Sequence, residues 1–193
     1  MASEPAASPT HSLEELTRAV FGEVLTVGEV LGRIGPLPTS STPVVDAQWV
    51  GSVGYERHRD SVEFAHALAQ AGVERLIDVR ELPISRRRGF AKSALAQAMT
   101  NAGIEYVHAR ELGNPKPFRD LYKSGHVDEG RRAYTVLLTQ ERLGALERLR
   151  TLLAEKRCAL MCVEDDAAVC HRSVILDALR SHAGLTLDVA DLL

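Results

Sequence analysis

The stretch "VVDAQWVGSVGYERHRDSVEFAHALAQAGVERLIDVR", Val44–Arg80, decides the fold. Its two ends, "VVDAQWVGSVG" and "VERLIDVR", are short β-rich runs that read as strands, the second ending at Asp78-Val79-Arg80. Between them "SVEFAHALAQAG" carries apolar residues at helical spacing and stops at Gly72. Strand, helix and strand in succession form the crossover unit of a parallel sheet.

The alternation continues downstream. A helix "KSALAQAMTNAG", ended by Gly103, leads to a short strand "IEYVHA". Residues 112–128, "LGNPKPFRDLYKSGHVD", hold the glycines and prolines of a long irregular loop. A long helix over roughly residues 130–156, a strand "RCALMCVE", a helix "HRSVILDALRSHAG" and a last strand around "LTLDV" complete the chain. The expected fold is α/β over residues 45–193: three layers, with a mostly parallel sheet and helices on both faces. Upstream, residues 1–11 are rich in Ala, Ser and Pro and read as a disordered tail. Residues 12–44 read as a small N-terminal helical appendage and linker. Ser12 with Glu15 and Thr26 with Glu29 form capping boxes for two short helices, and "PLPTSSTPVV" supports neither helix nor strand.

At 193 residues and 45% hydrophobic content the chain can build one full core plus a small appendage, but not two ordinary domains. No apolar run approaches the ~20 residues of a membrane span, and the N-terminus lacks a basic start followed by an apolar core. A soluble, cytoplasmic protein without membrane attachment is expected. The three cysteines, an odd number and all after residue 157, read as reduced thiols rather than a disulfide framework. Cys158 and Cys162 fall within an apolar run and read as small core residues. A net charge of −3 argues against a generally basic nucleic-acid coat while leaving room for a local basic patch.

Ligands of parallel α/β sheets bind outside the carboxyl ends of the strands. Three polar clusters fall at such ends: Gly54-Tyr55-Glu56-Arg57-His58, Asp78-Val79-Arg80 with the loop after it, and Glu164 through Arg172. They are expected to meet in space. The loop "DVRELPISRRRGFAK" sets Arg80, Arg86, Arg87, Arg88 and Lys92 against Asp78 and Glu81 and opens a helix, whose free N–H groups favour an anion. Guanidinium forks match phosphate or carboxylate oxygens in pairs, so an anionic ligand is one inference. A solvated arginine run with one member paired to Asp78 is the other.

In "CVEDDAAVCHR", Cys162–Arg172, an acid, a thiol, an imidazole and a guanidinium follow a buried strand. The spacing of Cys162, Cys170 and His171 is not that of a zinc ribbon or finger, so no metal is expected. Cys170 stands at the start of the last helix, where the dipole lowers a thiol's pKa and His171 and Arg172 add positive charge, as a nucleophile needs. Alternatively Cys170 packs under the helix and Arg172 bridges Glu164. Glu164, near several arginines, suits a general base or an orienting group. Tyr55 offers a stacking face and Glu56 a second acid. The aromatics Phe118 and Tyr122, with Lys123 and His126, either close over a ligand or anchor their loop.

The motifs "GYERH", "DVRELPISRRRGFAK", "GIEYVHARELGNP", "LYKSG" and "LMCVEDDAAVCHR", in this order and spacing, resemble the DUF488 family of bacterial and archaeal proteins over roughly residues 50–190. The resemblance implies a compact α/β domain and a motif list rather than an activity. Besides residues already named, that list adds Pro83, Ser85, Gly89, Phe90, Tyr106, His108, Leu112, Gly113 and Gly125. The chain departs from the pattern at Arg57 and His58, where many members have a small residue and a serine, so His58 is a candidate added functional group.

The expected function is an enzyme acting on a phosphorylated, nucleotide-like or nucleic-acid substrate. Glu164, Cys170, His171 and Glu56 would carry the chemistry. Tyr55, Asp78, Arg80, Ser85, Arg86, Lys92 and Arg172 would hold the substrate. Without a G-x-G-x-x-G fingerprint, hydrolysis or group transfer is favoured over redox work, and no cofactor is expected. Two alternatives stand beside it: a non-catalytic nucleic-acid or protein-binding module built on the arginine loop, and rhodanese-like thiol transfer through an exposed Cys170.

Overall fold

The computed structural model describes residues 47–182 and 184–192, together with Arg18. The expected N-terminal tail, helices and linker lie outside these residues, apart from Arg18. Five strands form one sheet: β1 (Gln48–Gly54), β2 (Arg75–Asp78), β3 (Glu105–His108), β4 (Cys158–Cys162) and β5 (Leu187–Leu192). Their order is β3-β2-β4-β1-β5 and every pairing is parallel, with Ile77 and Ser52 both in register with Leu160. Helix α1 (Ser61–Gln70) joins β1 to β2, and α2 (Lys92–Asn101) joins β2 to β3. The segment from β3 to β4 holds α3 (Lys116–Lys123), α4 (Val127–Gln140) and α5 (Leu143–Glu155), and α6 (His171–His182) joins β4 to β5. The three-layer α/β architecture is the one the alternation implies.

Side chains alternate across each strand, and the sheet is covered on both faces. Val53, Leu76, Ala159 and Met161 pack against Phe64 and Leu68 of α1 and Leu95 and Met99 of α2. On the other face α5 packs on β1, α6 on β4, and α4 on α6. This double cover explains why β2 and β4 are buried at every residue.

Right-handed crossovers dictate which helix goes where. The chain moves one way across the sheet from β1 through β2 to β3, then reverses into β4 and on to β5. The first two helices therefore fall on one face and the later ones on the other. Strand β4 lies between β1 and β2, so the loop after β4 leaves toward the face opposite to theirs.

Two expected elements differ. The residue 112–128 loop contains α3, because Pro115 and Pro117 stand at its first turn, where a missing N–H costs nothing and a fixed φ favours the helix. The long helix is two helices, broken at Glu141 and Arg142. The Arg142 guanidinium, at the start of α5, donates to the carbonyls of Glu111 (2.7 Å) and Gly113 (2.8 Å) and ties the post-β3 segment to the break. Among the described residues no helix is long and apolar enough to cross a membrane.

Close backbone approach at the strand ends requires glycine. A Cβ on Gly54 would run into the backbone of Glu164 and Asp165, and one on Gly113 into that of Glu81. Gly54→Ala is expected to destabilise the fold by on the order of 3 kcal/mol. Gly144→Ala, facing only the tip of Arg148 within the helix α5, is expected to be neutral or stabilising by a few tenths of a kcal/mol. Urea denaturation midpoints of the two variants provide the comparison.

Candidate functional site

The reversal at β4 leaves a cleft of about 220 Å³ over the ends of β2 and β4. One wall comes from Arg80, Glu81, Leu82 and Ile84 after β2, and a second from Cys162, Val163, Glu164, Val169, Cys170 and His171 after β4. Asn114, Arg119, Tyr122 and Lys123, from α3 and the segment before it, form the third. Nothing from the loop after β1 reaches it.

At its floor, β4 ends in Cys162, the chain crosses a 3₁₀ turn (Ala167–Val169) capped by Asp166, and Cys170 and His171 return at the start of α6. The imidazole Nε2 of His171 donates to the Val79 carbonyl at 2.9 Å. That bond fixes the tautomer and leaves Nδ1 facing both thiols, 3.7 Å from Cys162 Sγ and 3.7 Å from Cys170 Sγ. Tyr134 packs its ring edgewise against the imidazole at 5.5 Å. Cys162 Sγ donates to Glu164 Oε2 at 3.1 Å. All three cysteines are free and buried, and the third, Cys158, donates instead to the Leu152 carbonyl at 3.2 Å.

Burial would raise the Glu164 carboxyl pKa, but a backbone N–H, the Cys162 and Cys170 thiols and His171 outweigh it and hold the group below its ordinary value. It is therefore an ionised acceptor at neutral pH. Burial pushes the Cys170 thiol well up, helped by the neighbouring Cys162 sulfur, and His171 only partly offsets this. Cys170 is 1% exposed. Its place at a helix start thus does not produce the low-pKa, accessible thiolate expected of a nucleophile.

Two cleft groups have no partner among the described residues. Asn114 Oδ1 and Tyr122 Oη are shut from solvent and unbonded among the described residues. Burial pushes the Tyr122 hydroxyl up to about 12, so it stays a protonated donor. Buried polar atoms without partners carry a cost that a ligand can relieve. Around them stand Lys123, the Arg119–Glu81 ion pair, and an apolar rim that includes Ile84, 74% exposed.

The other expected site residues serve the fold. Asp78 and Arg80 lie two apart and point to the same side. Arg80 Nε and Nη2 donate to the two carboxylate oxygens at 2.8 and 2.6 Å, and the pair is buried. Burial works to lower the Arg80 pKa, and Asp78 overrides it and raises it. Tyr106 Oη adds a 2.6 Å bond to the same carboxylate. Arg80 Nη1 donates to Phe90 O (3.0 Å) and to Tyr55 Oη (3.2 Å), which in turn donates to Ser85 Oγ (3.3 Å). Tyr55 stacks on Phe90 at 4.3 Å, so its face is already taken. Only Arg80 of this network touches the cleft.

Arg172, fully buried, donates to the carbonyls of Val53 and Asp165 and ties the β1 end to the β4–α6 loop instead of meeting Glu164 or a substrate. Glu56 is exposed and outside the cleft. Arg86 and Lys92 are also exposed and outside it, on the stretch that continues from the Ile84 rim. His58 packs edgewise on Phe64 at 4.9 Å. Phe118 anchors α3 in the core, and His126 bonds Ser124 at the start of α4.

Sequence reasoning weighed Cys162 as a metal ligand and set it aside as a core residue, and it missed Asn114 and Arg119. Cys162 did lie beside Glu164 in the most polar strand end, which was signal enough to include it. Asn114 and Arg119 had no such signal, since α3 was read as loop.

A family model for the domain of unknown function DUF488 matches residues 60–179. The chain belongs to the DUF488 family. The match spans all three walls of the cleft, so the cleft is built from the DUF488 part of the chain. No curated protein and no solved structure matches.

The role of the buried pair gives a direct test. Asp78→Asn, which strands the Arg80 guanidinium, is expected to cost about 3–5 kcal/mol. Tyr106→Phe, which removes one bond to a charged acceptor, is expected to cost about 2 kcal/mol. Both are read by chemical denaturation.

Proposed function

We propose that this DUF488 protein is an enzyme that hydrolyses or transfers a group on a nucleic-acid or nucleotide-like substrate in the cleft between β2 and β4. The observation that carries this reading is the convergence of Glu164, Cys162, Cys170 and His171 on one cleft that also holds unpartnered buried polar atoms. Such concentrations of titratable groups at strand ends mark reactive sites. Glu164, ionised and partly buried, is the general base. Tyr122 and Asn114 offer a donor and an acceptor to a planar polar group, with the apolar rim beside them. Lys123 and Arg119 supply positive charge for an anionic one.

The substrate is a polymer rather than a small phosphate ester on one further ground. The exposed Arg86 and Arg88 follow directly on the cleft's rim, placed to bind a backbone whose base or end enters the cleft. The same exposed run supports the non-catalytic reading, in which the arginine loop binds nucleic acid and no turnover occurs. Thiol transfer is disfavoured by the burial of Cys170. Three free cysteines accord with the reducing cytoplasm, where we place the protein.

Glu164→Gln separates the two. A screen of fluorescein-labelled single-stranded DNA and RNA should give turnover that falls at least ~100-fold in the variant, with binding retained. Unchanged turnover in Glu164→Gln contradicts the catalytic role. Arg86→Ala with Arg88→Ala should weaken single-strand binding and flatten the log-affinity versus log-salt slope by about 1.4.

A further inference from the structure

The chemistry proposed above uses Glu164 but leaves two buried thiols meeting one imidazole nitrogen unexplained. Cys162, Cys170 and His171 each offer one ligand atom, and the three atoms lie within 4.8 Å of one another. A zinc ion bound tetrahedrally, at ~2.3 Å from sulfur and ~2.0–2.1 Å from nitrogen, sets its sulfur and nitrogen ligands about 3.6 Å apart. The two observed Sγ–Nδ1 separations are both 3.7 Å.

We propose that Cys162 Sγ, Cys170 Sγ and His171 Nδ1 bind a zinc ion whose fourth position opens into the β2/β4 cleft. Four features of the fold support the assignment. Two thiolates and an imidazole form a soft donor set that suits zinc over the oxygen-seeking magnesium and calcium. The second ring nitrogen of His171 donates to a backbone carbonyl at 2.9 Å, the arrangement that orients a metal-binding imidazole and frees the opposite nitrogen. Tyr134 holds the ring's plane. All three residues line the cleft, which provides the ion's entry path. Cys158, the remaining cysteine, is turned away toward Leu152.

Three protein ligands with an open fourth position are the pattern of a catalytic rather than a structural zinc. Binding replaces two S–H bonds with two Zn–S bonds and releases two protons, while His171 binds as the neutral ring. A water in the fourth position becomes easier to deprotonate, and Glu164 stands beside the set to take that proton, giving a zinc-bound hydroxide and a protonated Glu164. The inference rests on the cleft being the reactive site of the preceding section, yet it is tested without turnover.

The test is titration of the reduced, chelator-treated full chain with Co²⁺ and Zn²⁺. One cobalt per chain is expected, with thiolate-to-cobalt charge-transfer absorption and the strong visible bands of a four-coordinate site, displaced by one equivalent of zinc with a rise in Tm. Cys162→Ser, Cys170→Ser and His171→Gln should lose the charge-transfer signature or weaken zinc binding at least 100-fold, with folding checked by circular dichroism. Cys158→Ala should keep it. Glu164→Gln should keep it too, so metal binding that survives in an unimpaired Glu164→Gln enzyme sinks the catalytic reading alone. Failure of the wild-type chain to take up cobalt or zinc overturns the zinc site and leaves the rest of the proposal standing.

Discussion

A parallel strand inserted between two strands already laid down, and reached from the opposite direction, must send its next helix to the face they have left uncovered. That constraint on β4 governs the rest of the molecule. It draws the β4–α6 loop away from the loop after β2 and opens the cleft between them. It also brings the start of α6 back under the end of β4, which is how Cys162 meets Cys170 and His171 across the intervening loop. Gly54 permits this, since only a residue without a Cβ lets the chain at Glu164 and Asp165 pass over the end of β1. Arg172 then fastens the crossing to β1 through two backbone carbonyls.

Charges at the three strand ends separate into two populations by the face they occupy. On the α1/α2 face, Asp78, Arg80, Tyr106 and Tyr55 satisfy one another and bury a salt bridge whose parts are costly to remove and poorly placed to react. On the other side, at the foot of α6, Glu164 and the Cys–His cluster contact one another, and the oxygens of Asn114 and Tyr122, unbonded among the described residues, stand nearby.

The sheet was legible from residues alone because β4 is a continuous apolar run, β2 has an apolar centre in a short β-rich stretch, and the two helices that flank β2 end at glycine stops, Gly72 and Gly103. The strand-end rule pointed to three loops, and those after β2 and β4 line the cleft while the one after β1 does not. Roles were harder. Asp78 and Arg80 have the separation of residues on one face of a strand, which favours pairing with each other over pairing with a ligand, and nothing local says which will win. Tyr55 looks like a stacking platform until Phe90, 35 positions on, occupies its face. The spacing of Cys162, Cys170 and His171 matches no zinc ribbon or finger because a strand end and a helix start, rather than a knuckle, bring them together. The prolines of the residue 112–128 segment were read as breaking structure when two of them begin α3.

The central claim is that this cleft, and not the arginine loop alone or any other surface, receives the ligand. Amide chemical-shift mapping by NMR on titration with a short single-stranded oligonucleotide tests it most directly. The account predicts the largest shifts at Glu81–Ile84, at Tyr122 and Lys123, and from Val163 to His171, with smaller ones at Arg86 and Arg88. Shifts confined to Arg86–Lys92, or centred on the far edge of the sheet at β5, would contradict it.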